Sequence, residues 1–205
     1  IFLDIPYVTK ATRGGNRGVK YDLISLNQFE IMLSNCTRLL RNEDSKIVFM
    51  FSNAKSGLSE MNAYLDLFSK FGYSLIAEGK YQKLFKNGLP VRNMTGAISE
   101  PEGINIYSRN DNKLDCSLDY EMIRINKGYQ TEKNKEMIID VLEKLTKEKD
   151  IVLDPCAGSG VVGISCLLKN RIAILIEKSE KGINYICDRI SDEFDKTYLP
   201  SFNIN

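Results

Sequence analysis

The period of the apolar positions changes several times along the chain, and each change marks an element. Ile1-Phe2-Leu3 is a strand-like run that ends at Asp4-Ile5-Pro6-Tyr7. Ser25-Leu26-Asn27-Gln28 has the form of a capping box. Behind it Phe29, Met32, Leu33, Cys36, Leu39 and Leu40 recur at helical spacing. Lys46 to Phe51 reads as an apolar strand, and Glu60 to Phe71 as a helix stopped by Gly72. Two or three strands are predicted near Ser74 to Glu78, Lys80 to Phe85 and Ile104 to Tyr107, with a loop between Asn87 and Gly103. Arg109 to Tyr129 is polar and irregular. Glu132 to Lys149 is predicted as a helix with Met137, Ile138, Val141, Leu142 and Leu145 on one face and its charges on a solvated face.

The last third alternates most plainly. Ile151-Val152-Leu153 reads as a short buried strand, Asp154 to Gly160 as a glycine-bearing turn, and Val161 to Leu168 as the start of a helix. Ile172 to Ile176 is a second apolar strand ending at Glu177, and Ile183, Ile186, Cys187 and Ile190 mark the next helix. Strands alternating with helices predict an α/β fold with an open, mostly parallel, Rossmann-like sheet and helices on both faces.

Composition narrows the chemistry. A length of 205 residues with 43% hydrophobic positions suits a single domain over residues 1–205 with an ordinary core. The chain has no histidine, which excludes Ser-His-Asp and Cys-His catalysis, H-E-x-x-H zinc sites and histidine bases. Cys36, Cys116, Cys156, Cys166 and Cys187 are odd in number and form no C-x-x-C. They read as small buried apolar residues in a reducing compartment, with no metal. No apolar run approaches the roughly 20 residues of a membrane helix, and no secretory signal opens the chain, so a cytoplasmic protein without a membrane partner is expected. The net charge of +1 argues against a purely electrostatic nucleic-acid binder while leaving room for basic patches.

Asp154-Pro155-Cys156-Ala157-Gly158-Ser159-Gly160 lies between a strand and a helix. Glycines there let the backbone approach a ligand, the helix N-terminus offers free N–H groups, and Glu177 at the end of the next strand can accept both hydroxyls of a ribose. Gly158-Ser159-Gly160-Val161-Val162-Gly163 also matches the dinucleotide pattern G-x-G-x-x-G. Asp154 counts against a dinucleotide because its carboxylate would repel a pyrophosphate. It suits a cationic ligand, such as the sulfonium and amino groups of S-adenosylmethionine. NAD, a flavin, or a tight turn without a ligand stay open as alternatives.

Asp4-Ile5-Pro6-Tyr7 sits just past another strand. Methylating an exocyclic amine requires its delocalised lone pair to be localised. A carboxylate and a backbone carbonyl, each accepting an N–H, pull the nitrogen toward sp³ geometry. Asp4 offers the carboxylate, the rigid Pro6 region the carbonyl, and Tyr7 a ring to stack on an extruded base.

Together these segments resemble the DNA amino-methyltransferases that modify adenine-N6 or cytosine-N4. Asp4-Ile5-Pro6-Tyr7 is similar to their catalytic D/N/S-P-P-Y/F motif, with Ile5 in place of the first proline, and Asp154 to Gly160 to their D-P-F-x-G-S-G cofactor motif. Tyr129-Gln130-Thr131-Glu132-Lys133-Asn134 stands where members carry H-P-T-Q-K-P and departs from it at Tyr129, Gln130 and Asn134. The catalytic motif precedes the cofactor motif, an order that resembles the β group, a circular permutation of the methyltransferase fold. Members usually carry a further strand before the catalytic motif. The resemblance implies that Thr131 and Lys133 hold the methionine carboxylate of S-adenosylmethionine, that Asp4 and Asp154 belong to its site, that Glu177 takes the ribose and that Lys178 lies beside the adenine. It also implies methyl transfer to a flipped base. Asp in the catalytic motif favours adenine-N6, in a restriction-modification or orphan enzyme. An RNA or protein-amide methyltransferase, and a non-catalytic binding subunit, remain alternatives.

Double-stranded DNA is then the expected partner. Lys10, Arg13, Arg17 and Lys20 occur without an intervening acid, and Lys83, Lys86 and Arg92 form a second basic set. Both are candidate phosphate contacts, and both also read as ordinary solvated loops. Residues 87–129 are the expected embedded target-recognition region. The compact length leads to the expectation of a homodimer or a specificity partner.

Overall fold

The computed structural model describes residues 1–6, 23–52, 58–92, 96–123 and 132–194. The chain divides into two compact units, Ile1–Arg124 and Ile125–Asn205. In the first unit five strands form one mixed sheet: β1 (Phe2–Leu3), β2 (Lys46–Ser52), β3 (Ser74–Leu84), β4 (Glu102–Ser108) and β5 (Tyr120–Ile123), in the order β1-β2-β4-β3-β5. The β1–β2 and β3–β5 pairs are parallel, whereas β4 runs antiparallel to both of its neighbours. The middle of β2 is buried residue after residue, as a central strand covered on both faces should be. Helices α1 (Leu26–Leu39) and α2 (Leu58–Lys70) belong to this unit. Phe29 and Phe49 stack at 5.4 Å and Phe68 and Tyr107 at 3.9 Å between ring centroids, giving the unit an aromatic core.

Of the two or three strands expected between Ser74 and Tyr107, two form, because Ser74 to Leu84 is one strand, β3. At Gly79 the Leu118 backbone packs so closely against this strand that a Cβ would collide with the Leu118 carbonyl oxygen. One expectation is corrected here. The predicted irregular stretch after Arg109 contains β5, whose Tyr120 pairs with Tyr81 and Ile123 with Leu84.

In the second unit β6 (Ile151–Asp154) pairs in parallel with β7 (Ile172–Leu175), with α4 (Val161–Leu168) as the crossover. Helices α3 (Lys135–Leu145) and α5 (Glu180–Glu193) complete it. Helix α3 starts at Lys135 rather than at the predicted Glu132, because the Asn134 side chain accepts the Glu136 and Met137 N–H groups at 2.9 and 3.2 Å. Ala157, Ile164, Ile186 and Ile190 form a small core, with Leu167, Leu175 and Phe194 packed on it. Among the described residues β7 pairs with β6 alone, and Ile172, Ile174 and Ile176 stay exposed. The α/β expectation therefore stands, and three of the five strand pairings are parallel. No described helix is long and apolar enough to cross a membrane.

Candidate functional site

The register of the second unit sets Asp154 opposite Leu175, so both strands end together and their following turns meet. Open α/β sheets present ligands at these carboxyl ends. The Ile176 N–H bonds to the Asp154 carbonyl at 2.9 Å, and the Ala157 N–H to the Ile176 carbonyl at 2.9 Å. This stitching holds the stretch Pro155 to Gly160 against the stretch around Glu177. Asp154 is buried, and its Oδ1 accepts the Cys156 N–H at 3.1 Å, bending the chain just past the strand.

Gly158 and Gly160 have φ of 51° and 72°, in the left-handed region. Gly160 is also the N-cap of α4 and lies against α5: a Cβ there would stand 2.8 Å from Ile186 Cγ1. Only glycine satisfies both the backbone angle and the contact.

Glu177 closes over this turn. Its Oε2 accepts the Gly158 N–H at 2.9 Å and its Oε1 the Ser179 N–H at 2.9 Å. A carboxylate offers about four lone-pair sites, so two remain for ligand hydroxyls. Lys178 is exposed beside it. Pro155, Cys156 and Gly158 are half-buried, and Ala157 and Ser159 buried. The structure thus brings together Asp154, Pro155, Cys156, Ala157, Gly158, Ser159, Gly160 and Glu177. The cysteines are free; Cys36 and Cys166 are buried as expected, and burial pushes the Cys166 thiol up to about 12. Cys116, Cys156 and Cys187 are half-buried.

Lys133 is buried rather than solvated. Glu132 beside it is half-buried, with its side chain tucked in, and pairs with Arg189 at 2.6 Å. Arg189 also donates to the Ser159 carbonyl at 3.2 Å and, through Nε, to Glu193 at 3.3 Å. Partial burial works against the charge of Glu193. The hydrogen bonds and charges of Lys135 and Arg189 outweigh it, so the carboxyl sits below the usual carboxylate range. The predicted solvated face therefore does not extend to Glu132 and Lys133. Sequence periodicity could not find this network, because Glu132 precedes the helix and Arg189 is 57 positions away.

In the first unit Asp4 follows β1, whose Leu3 pairs with Phe49, and it is half-buried. Ile5 is buried, and the Pro6 carbonyl accepts the Ile24 N–H at 2.6 Å. That bond anchors the segment beside the capped start of α1, where Ser25 and Gln28 form the expected capping box. Tyr7, Lys10, Arg13, Arg17, Lys20 and Thr131 lie outside the described residues. Lys83 is held by Glu102 at 2.5 Å, while Lys86 and Arg92 are exposed and Arg92 donates to the Gly96 carbonyl at 2.7 Å. An open groove of about 1240 Å³ in this unit is lined by Phe51, Asp66, Glu78, Lys80, Asn105 and Tyr107 among others, and Asp4 and Pro6 are not among its walls.

Comparison with known proteins bears on part of the chain by sequence and on most of it by fold. Residues 119–188 match the family model described as DNA methylase, N6/N4 type. No curated sequence matches significantly. Among solved structures the chain is similar to M1.HpyAVI in its complex with SAM, with a TM-score of 0.62, 19% identity, and coverage of 80% of this chain and 81% of that one. It is similar to the PvuII DNA methyltransferase, which is cytosine-N4-specific, with a TM-score of 0.63, 13% identity, and coverage of 88% and 76%. A candidate DNA modification methylase from Thermus thermophilus, complexed with S-adenosyl-L-methionine, gives a TM-score of 0.60, 15% identity, and coverage of 86% and 79%. At these identities the structural likeness speaks to the fold. The family match covers about a third of the chain, and over that stretch, which holds Lys133, the glycine turn and Glu177, the chain is similar to the N6/N4 DNA methylases, whose motifs its own resemble.

Proposed function

We propose that the chain transfers a methyl group from S-adenosylmethionine to the exocyclic amine of a base in double-stranded DNA. Adenine-N6 is the first choice and cytosine-N4 the second, in a restriction-modification or orphan setting in the cytoplasm. The observation that carries the cofactor assignment is the turn at the ends of β6 and β7. A buried carboxylate, two left-handed glycines and the Glu177 carboxylate converge on one short stretch of backbone.

These residues fit a cationic nucleoside better than a dinucleotide, since the buried Asp154 would oppose a pyrophosphate. When bound, the cofactor supplies an electrophilic methyl group on a sulfonium. Asp154 would accept from its amino group, Glu177 would accept the ribose hydroxyls on its remaining lone pairs, and Lys178 would lie along the adenine. Lys133, a buried cation, would hold the methionine carboxylate together with Thr131.

For the base, Asp4 would accept one amine N–H. The second acceptor would be a backbone carbonyl of the Ile5–Pro6 stretch, where one lone pair of the Pro6 carbonyl is taken by Ile24. Tyr7 would stack on the extruded ring, the usual way such enzymes hold a flipped base. Asp at position 4 is what favours adenine. The two units would act as one methyltransferase domain, with residues 87–129 as its target-recognition region. Exposed Lys86 and Arg92 are better placed for phosphate contact than the ion-paired Lys83. A homodimer or a specificity partner would extend the DNA surface.

Expression in a host lacking DNA methylation, read by single-molecule sequencing, tests this. Wild-type protein should leave N6-methyladenine at one target sequence. Asp4→Ala should leave none while binding of S-adenosylmethionine by calorimetry is retained. Methylation by Asp4→Ala at the wild-type level would remove the catalytic assignment. N4-methylcytosine would transfer the base assignment to the second choice, and methyl label found only in RNA or protein would favour those substrates.

A further inference from the structure

One guanidinium joins three segments of the second unit. Arg189 Nη1 stands 2.6 Å from Glu132 Oε1 and donates to the Ser159 carbonyl at 3.2 Å. Its Nε reaches Glu193 Oε1 at 3.3 Å, and Lys135 binds the other oxygen of Glu193 at 2.9 Å. The side chains of Arg189 and Glu132 are only 15% and 6% exposed. Desolvation offsets most of the attraction in so buried a pair, so stability alone is a poor reason for it. A rigid, planar fork does supply fixed geometry. Here it fixes the distance between the Glu132–Lys133 stretch, the glycine turn and α5.

We infer that Arg189 is a positioning residue of the cofactor site. Through Glu132 and the Ser159 carbonyl it sets the spacing between Lys133 and the turn of Asp154 to Gly160. Those two places take opposite charges of the same amino-acid moiety, the carboxylate and the amino group, so an error in their spacing weakens both contacts at once. The inference rests on the cofactor assignment made above. Arg189 touches no reacting atom; it acts on binding rather than on the chemical step.

The test is calorimetric binding of S-adenosylmethionine, below each variant's melting temperature, to wild type, Arg189→Met, Arg189→Lys, Glu132→Gln and the double variant Glu132→Gln/Arg189→Met. Arg189→Met should weaken binding about tenfold, and the double variant no further, because coupled residues are not additive. Arg189→Lys, which keeps the charge and loses the fork, should recover part of the loss. In methylation assays KM for the cofactor should rise while kcat at saturation is retained. If Arg189→Met melts lower but binds as wild type does, the ion pair is merely structural and the inference falls. If Arg189→Met does not fold, Arg189→Lys and Glu132→Gln decide it in the same way. Failure of the wild type to bind S-adenosylmethionine would instead overturn the cofactor assignment, and this inference with it.

Discussion

At the scale of single residues, the glycine turn shows how composition becomes geometry. Gly160 combines a φ of 72° with a contact to Ile186, whereas Gly88 has a similar φ of 79° and open space around it. Comparing them separates backbone strain from steric exclusion. Gly88→Ala should cost about 1–2 kcal/mol, the usual penalty for a left-handed L-residue. Gly160→Ala should cost more, because Ile186 has to shift as well, and the excess measured by chemical denaturation reports that contact. Equal losses would mean that Ile186 yields freely. Glycine's role at position 158 was legible from the motif. The engagement of Glu177 by Gly158 was not, because it depends on where the end of β7 falls.

At the scale of elements, local signals worked where the cause is local. The Ser25 capping box is present: Ser25 Oγ accepts the Gln28 N–H at 3.4 Å and Gln28 Oε1 accepts the Ser25 N–H at 2.9 Å. Removing it should destabilise the protein by about 1 kcal/mol, so urea denaturation of Ser25→Ala should show that shift, and an unchanged midpoint would contradict it. Elements defined by a partner were less legible. β3 runs unbroken through Gly79, against which Leu118 packs, and β5 exists through its pairing with β3. Apolar character alone did not set burial either, since Ile172 and Ile174 of β7 are exposed.

At the scale of the molecule, a ligand that binds the folded second unit should stabilise it by mass action, by about 2.7 kcal/mol at a hundredfold excess over Kd. Hydrogen exchange with saturating S-adenosylmethionine should therefore slow over residues 154–160 and 177–182, while the central strands β2 and β4 of the first unit change little. Uniform protection of both units, or none, would count against the proposed turn as the binding place. The amino-acid sequence by itself determined the α/β class, the glycine turn with Asp154 and Glu177, and the candidate carboxylate at Asp4, because each is written in short motifs and in the alternation of apolar runs. Tertiary structure alone decided that Lys133 is buried, that Arg189 reaches both Glu132 and the glycine turn, and that Pro6 is tied to Ile24. Those contacts join residues far apart in the chain, and packing rather than periodicity selects which distant charges and carbonyls meet.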